Sequence, residues 1–332
     1  MKALLTGGAG YIGSHVVLKL IEQGHDVDII DNLSRGSKES LQCLKSNGWT
    51  GEFLESDIGD IEKVGKFIQE KQYDICFHFA GFISVGESVK KPIMYFENNV
   101  AQFPRFLSSL AFHGINKFVF SSTAAVYGNQ DTTELISEDF NIQPSSPYGT
   151  SKVMVEQMLE AYANSNNDFK FISLRYFNVV GNNIDNKIGD YKFESKENLI
   201  PMCLSALAGY KDDIKIYGTN YNTKDGTCIR DYIHVDDLAD AHIVAMDNVD
   251  NSCYNIGNGV GYSVKELISS CLKITGKSVD IKKTPRRKGD PEFLCANANA
   301  FKNKTGWMPK ITDIDMMTKS AWNWIKKIKH IP

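Results

Sequence analysis

The chain has 332 residues, 42% of them hydrophobic and 23% charged, with a formal net charge of −3. This is the balance of a folded globular protein, long enough for one large domain or two unequal ones. Near-neutral charge offers no general attraction for nucleic acid or an anionic membrane surface, and no apolar run approaches the roughly 20 residues that span a bilayer.

The opening MKALLTGG reads as a short strand cut off by glycines rather than as a signal peptide. Strand candidates follow at Val27–Ile30, Phe53-Leu54, Ile75–Phe79, Phe118–Phe120 and Phe171–Leu174, after Ala3-Leu4-Leu5. Short apolar runs of this kind suit strands buried on both faces. A helical pattern lies between the first two, with Gly13, Val16, Val17 and Leu20 on one face. Strand–helix alternation predicts an α/β fold with a doubly wound parallel sheet of the Rossmann type over residues 1–175. From 176 to 332 the pattern loosens into a smaller α/β substrate-binding lobe, whose segments can cross back to the sheet. Residues 181–198 are polar and read as a long loop over a site. In HVDDLADAH, Asp236 or Asp237 is expected to cap a helix.

Seven cysteines, at 43, 76, 203, 228, 253, 271 and 295, are scattered without a CxxC pair. They suit free thiols in the cytoplasm and offer no zinc site. His78, His234 and His242 have no carboxylates at metal-ligand spacing and are expected to be packing or surface residues.

TGGAGYIG carries Gly7, Gly10 and Gly13 between the first strand and the first helix. Glycines there let backbone N–H groups approach a pyrophosphate at the positive end of the helix. Asp31 ends the next strand, 18 residues past Gly13. Its carboxylate can accept both hydroxyls of an adenosine ribose and would repel a 2′-phosphate, which favours NAD over NADP. Asp57 and Ile58 after the third strand, and Phe79, Ala80 and Gly81 after the fourth, would line the same carboxyl edge.

SPYGTSK places Tyr148 and Lys152 four residues apart, on one face of a helix continued by Val155, Met158, Leu159 and Tyr162. A lysine so placed is expected to lower the phenol pKa from about 10 toward the working pH, giving a base for an alcohol that loses hydride. By spacing alone the pair would be an ordinary surface Tyr–Lys pair. Thr123, ending FSST 25 residues earlier, adds a hydroxyl that can bind the same oxygen.

With the glycine loop, Thr123, Tyr148 and Lys152 resemble the extended short-chain dehydrogenase/reductase family. Across nearly the whole chain, GESV, NNV, SSTAAVYG, LRYFN, NLIP, DGTCIRDYIHVDDLADAH and RRKGDP look closest to its UDP-glucose 4-epimerase branch. The resemblance implies a tightly held NAD, a catalytic Tyr148, and cofactor contacts from Tyr11, Ile12, Asn32, Asn98, Tyr176 and Phe177. It also implies a UDP-hexose substrate held by Asn178, Asn198, Leu199 and Arg230. Arg287 and Asp290 would serve the diphosphate and ribose, and Lys215, Ile216 and Tyr217 the uracil. A homodimer would pair helices near 92–113 and 147–163.

Three departures from the branch stand out: Ile83 where a lysine is usual, VVGNN after YFN, and Leu294 at the position that gates hexose size. Leucine is intermediate between a residue that excludes an N-acetyl group and one that admits it, so UDP-N-acetylglucosamine is a further expected substrate. A nucleotide-sugar 4,6-dehydratase is the nearest rival, but Ala124 and Ala125 stand where that chemistry needs an acid and a base. A non-catalytic NAD-binding regulator would commonly have lost the Tyr–Lys pair.

Overall fold

The structure is a computed structural model that describes residues 1–195, 198–287 and 290–331. The first half runs β1 (Lys2–Thr6), α1 (Tyr11–Glu22), β2 (Asp26–Asp31), α2 (Lys38–Ser46), β3 (Phe53–Glu55), α3 (Ile61–Ile68) and β4 (Ile75–His78). Two short helices, α4 (Val85–Lys90) and α5 (Pro92–Phe96), precede α6 (Phe103–Phe112), β5 (Lys117–Thr123), α7 (Pro147–Ser165) and β6 (Lys170–Tyr176). Next come β7 (Asn178–Val180), α8 (Leu199–Leu207), β8 (Asp213–Tyr217), β9 (Ile229–His234), α9 (Val235–Met246) and β10 (Ser252–Ile256). The chain closes with β11 (Gly261–Ser263), α10 (Val264–Thr275), β12 (Asp280–Thr284), β13 (Phe293–Leu294), α11 (Asn299–Thr305) and α12 (Ile314–Lys329).

Seven of these strands form one parallel sheet in the order β10-β6-β5-β4-β1-β2-β3. Its apolar runs are continuous because alternate side chains enter different layers. Leu5, Ile29, Phe77 and Val119 pack in the layer with α1 and α9, whereas Leu4, Ile30, Cys76 and Phe118 pack with α3, α6 and α7. Strand order reverses between β1 and β4, and the crevice beyond their carboxyl ends is where such sheets bind ligands.

The smaller lobe is built from β9 with β7, β11 and β13, a β8–β12 ribbon, and helices α8, α10 and α12 around a separate core. The chain crosses back to the sheet twice: β10 pairs with β6 while α9 packs on α1 with a Lys19–Asp240 ion pair at 3.0 Å, and α11 later brings Phe301 against the same layer.

Three local expectations need correction. The polar stretch 181–195 is a more deeply packed loop than its composition suggests, with Asn182, Asn183, Ile188 and Asp190 buried in it. Several of its polar groups pair with one another and with their neighbours, with Asp190 N–H on Asn182 at 2.7 Å and the Asn183 amide on Asp236 at 3.1 Å. Second, α9 is capped by the His234 ring, which accepts from Asp236 N–H at 3.1 Å; Asp236 and Asp237 lie in the first turn. Third, the helix near 92–113 is interrupted by a π turn over Glu97–Ala101, which drives Asn99 inward. Such turns recur at functional sites. Among the described residues, no helix is long and apolar enough to cross a membrane.

Candidate active site

The cofactor crevice is shaped by what a side chain would strike. A methyl on Gly7, which sits at φ +75°, would lie 2.6 Å from the Ala80 nitrogen, and one on Gly13 would lie 2.3 Å from the Gly7 carbonyl. Gly7 thus lets β1 and β4 end side by side, and Gly13 lets α1 start directly against the turn. Gly10 is the N-cap of α1, whose first turn contains no acidic residue. Tyr11 and Ile12 open the helix, and the Tyr11 phenol donates to the Gly181 carbonyl at 2.5 Å. The cradle fits an anion such as a pyrophosphate on backbone N–H groups.

Asp31 ends β2 buried, which raises its carboxyl pKa, while amides of Leu33 at 2.8 Å and Ala9 at 3.0 Å hold the ionised form. Each oxygen keeps a second acceptor position for a ribose hydroxyl. Asn32 donates to Asp57 at 3.0 Å, tying the ends of β2 and β3 beside buried Ile58. Phe79 packs on His242 with ring centroids 4.8 Å apart. Ala80 follows, and Gly81 adopts φ +155°.

The sequence names Asn98 here; the structure adds Asn99. Asn98 donates to Asn99 at 2.9 Å, and Asn99 grips both backbone polar groups of Phe82 and the Ser151 hydroxyl. The asparagine pair is visible in the sequence, but a regular helix would have turned Asn99 away.

The helix carrying Tyr148 starts where Ser146 accepts from Gly149 N–H at 3.2 Å, with Pro147 in its first turn. Tyr148 and Lys152 are both buried, and the Thr123 side chain lies close enough to the Tyr148 hydroxyl to favour its ionised form. Thr123 is extended at the end of β5 and accepts from Ala125 N–H at 3.2 Å. The net shift of the phenol is opposite to the one expected from the lysine. Burial pushes Tyr148 up to about 12, with Thr123 pulling the other way. The Lys152 ammonium donates to the Ser121 carbonyl at 2.7 Å, one residue pair away from Thr123. Burial draws Lys152 down to about 8, opposed by Glu156. Under it lies His78, held neutral by burial at about 3 and bonded to Thr6 at 2.6 Å. The three histidines are thus packing residues, as expected. Tyr176 bonds Ser121, and Phe177 is buried nearby.

Opposite the sheet edge, Arg230 on β9 is buried, ion-paired with Asp290, and donates to the Ile229 carbonyl at 2.7 Å. Leu294 on β13 lies in register with Arg230 and packs on the cluster that contains Phe177. Asn178 begins β7, which pairs with the same β9. The Arg287 guanidinium stacks 3.8 Å over the Tyr217 ring. Within β8, Lys215 is exposed but the Ile216 side chain faces the lobe's core, so only its backbone could meet a base. Asn198 is the exposed N-cap of α8, and Leu199 its half-buried first residue. Ile83 is 53% exposed. No group of three potential metal ligands occurs among the described residues.

A glycine cradle, a strand-end carboxylate and a Thr–Tyr–Lys set on one sheet edge define an NAD-dependent enzyme of the short-chain dehydrogenase/reductase type. The chain belongs to the NAD dependent epimerase/dehydratase family, whose model matches residues 3–257. It is 40% identical to the UDP-glucose 4-epimerase of Halalkalibacterium halodurans, over 99% of this chain and 97% of that protein. The UDP-glucose 4-epimerase of Stenotrophomonas maltophila, solved with NAD and formylated UDP-arabinopyranose, superposes with a TM-score of 0.94 at 36% identity, over 100% of both chains. The UDP-Glc/GlcNAc 4-epimerase of Campylobacter jejuni superposes with 0.86 at 39% identity, covering 98% of this chain and 99% of that one.

Proposed function

We propose that the protein interconverts UDP-glucose and UDP-galactose through a 4-keto sugar. The observation that carries this reading is the buried Thr123–Tyr148 hydroxyl pair at the end of β5, facing a lobe that presents Arg230 and Leu294. NAD, when bound, would supply the hydride acceptor and donor for sugar C4. Gly7, Gly10 and Gly13 would hold its pyrophosphate and Asp31 its ribose. Tyr148 takes the 4-hydroxyl proton and returns it, while Thr123 orients the oxygen. While protonated, the Lys152 ammonium favours the phenolate across the site. Arg230 and Arg287 suit the diphosphate, since a planar guanidinium binds phosphate oxygens in pairs.

Epimerisation requires the keto sugar to present both faces, hence a firm grip on the nucleotide and little on the hexose. Dehydration would need an acid and a base beside Thr123, where Ala124 and Ala125 stand in a 3-10 turn. The test is purified protein with UDP-galactose: the expected product is UDP-glucose with no lasting NADH absorbance, and a stable 4-keto product would favour a dehydratase instead.

A second reading, that UDP-N-acetylglucosamine and its galacto epimer are also turned over, rests on Leu294. Its half-buried side chain next to Arg230 leaves more room than a tyrosine would, and the Campylobacter relative at 39% identity is named for both sugars. Leu294→Tyr should abolish turnover of the N-acetyl sugar, by roughly 100-fold or more, and leave UDP-galactose conversion within a few-fold. Equal loss on both sugars would remove Leu294 as the gate.

The same reading extends to a homodimer. Exposed Ile93 on α5, Phe112 on α6 and Met154 on α7 put apolar area on the two helical segments expected to pair. Sedimentation equilibrium should give twice the chain mass, and Met154→Asp with Ile93→Asp should halve it. We also place the protein in the cytoplasm. Its cysteines are all free thiols in the structure, and fractionation of the source cells would test that placement.

A further inference from the structure

Three consecutive residues at the end of β5 hold three successive turns of α7. Thr123 lies beside the Tyr148 hydroxyl, the Ser121 carbonyl accepts from Lys152 at 2.7 Å, and the Ser122 hydroxyl donates to Glu156 at 2.5 Å. The first two contacts belong to the reaction described above. The third is made by a carboxylate that touches neither sugar nor cofactor in that reading. Glu156 is buried and is itself gripped by Arg175 of β6, Nε to Oε1 at 3.0 Å and a terminal nitrogen to Oε2 at 2.8 Å. Arg175 is buried too, and reaches on to the Tyr127 hydroxyl at 3.1 Å, which donates to Asn255 of β10 at 2.8 Å.

We infer that Glu156, seated by Arg175 and Ser122, is a positioning residue for the Tyr–Lys pair, which registers α7 against the strand end and keeps the Lys152 side chain in its charged form. The inference rests on the epimerase reading. A buried carboxylate one helical turn from a buried ammonium favours that ammonium's protonation. Other groups around the site act less directly. His78 of β4 is neutral, and Tyr176 of β6 is bonded to Ser121. Tyr95 of α5 meets the Tyr148 ring edge-on at 6.5 Å, while Glu87 of α4 is taken up by Tyr95 and Arg35. Arg175 without Glu156 would be an unpaired buried cation and would oppose the Lys152 charge further.

The experiment compares wild type with Glu156→Gln and with the charge-free double variant Glu156→Gln/Arg175→Met, all loaded with NAD. In Glu156→Gln the basic limb of the kcat–pH profile should move about one unit lower, so that kcat above that limb falls roughly tenfold while KM stays within a few-fold, and in the double variant, which also lacks the opposing Arg175 charge, the limb should move the same way by less. The share of tyrosinate absorbance that Tyr148→Phe removes should titrate at higher pH. The double variant should recover thermal stability lost by the single one while its basic limb stays below that of wild type, whereas a merely structural pair would bring the limb back to the wild-type position. A folded variant whose basic limb and Tyr148 titration both coincide with wild type would overturn the inference. If the wild-type protein fails to convert UDP-galactose, the sugar reading fails, and the Tyr148 titration still decides the role of Glu156.

Discussion

Tyr148→Phe is expected to lower kcat for UDP-galactose roughly 1,000-fold, within the 100- to 10,000-fold range of a lost general base. The substitution removes one oxygen and keeps the ring, so the edge-on contact with Tyr95 at 6.5 Å survives. The Thr123 hydroxyl loses a polar neighbour and keeps its bond from Ala125 N–H, at a cost of no more than about 1 kcal/mol. Folding, cofactor content and KM should therefore change little. Steady-state conversion of UDP-galactose measures the effect, with NAD content and thermal unfolding as controls. Activity within tenfold of wild type would mean that another group takes the proton.

Lys152→Met is expected to separate activity from stability. The ammonium is almost wholly buried, with burial lowering its pKa to about 8 from 10.5 despite Glu156. The linkage has the opposite sign from an ordinary surface lysine. Between pH 8 and the unfolded value the unfolded chain binds the extra proton, so this group's contribution to stability rises with pH. Below pH 8 the native state carries a desolvated charge. Replacing it with methionine should stabilise the fold by about 1–3 kcal/mol near neutral pH, after the lost Ser121 bond is counted. The same substitution should lower kcat about 100-fold or more and erase the decline in rate above about pH 8, where the wild-type lysine loses its proton. Thermal melts across pH and a kcat–pH profile read both effects. Destabilisation at pH 7 would show that the bond to Ser121 outweighs the burial of the charge.

The parts legible in the sequence are those where one physical demand dominates. Strands buried on both faces must be apolar throughout, and so β1, β2, β4, β5 and β6 stand out as runs. The turn into α1 must lack side chains at Gly7 and Gly13, because a methyl there collides with backbone. Tyr148 and Lys152 share a face by helical period alone. β10, by contrast, reads Ser-Cys-Tyr-Asn-Ile and joins the sheet at its edge, where Asn255 satisfies Tyr127 and the Ile136 carbonyl. No local pattern announces that pairing.

Burial also misled in a consistent direction. The polar composition of residues 181–195 reads as a loop over a site, yet Asn182, Asn183 and Asp190 are buried in a hydrogen-bonded turn against α9 and α1. Asn99 enters the site through a π turn that no propensity predicts. Spacing brought Lys152 to the face of Tyr148, but only the fold shows its ammonium drawn aside by the Ser121 carbonyl. Glu156 and Arg175 are 19 residues apart on a helix and a strand, and a sequence cannot say which carboxylate a given arginine will take.

The most direct test follows one hydrogen. UDP-galactose carrying deuterium at C4, incubated with the NAD-loaded protein in ordinary water, should yield UDP-glucose with that deuterium still on C4, since the hydride never leaves the enclosed site. Product bearing solvent hydrogen at C4 would show that the bond is remade by proton exchange with water, and a hydride that departs and returns could not be the mechanism.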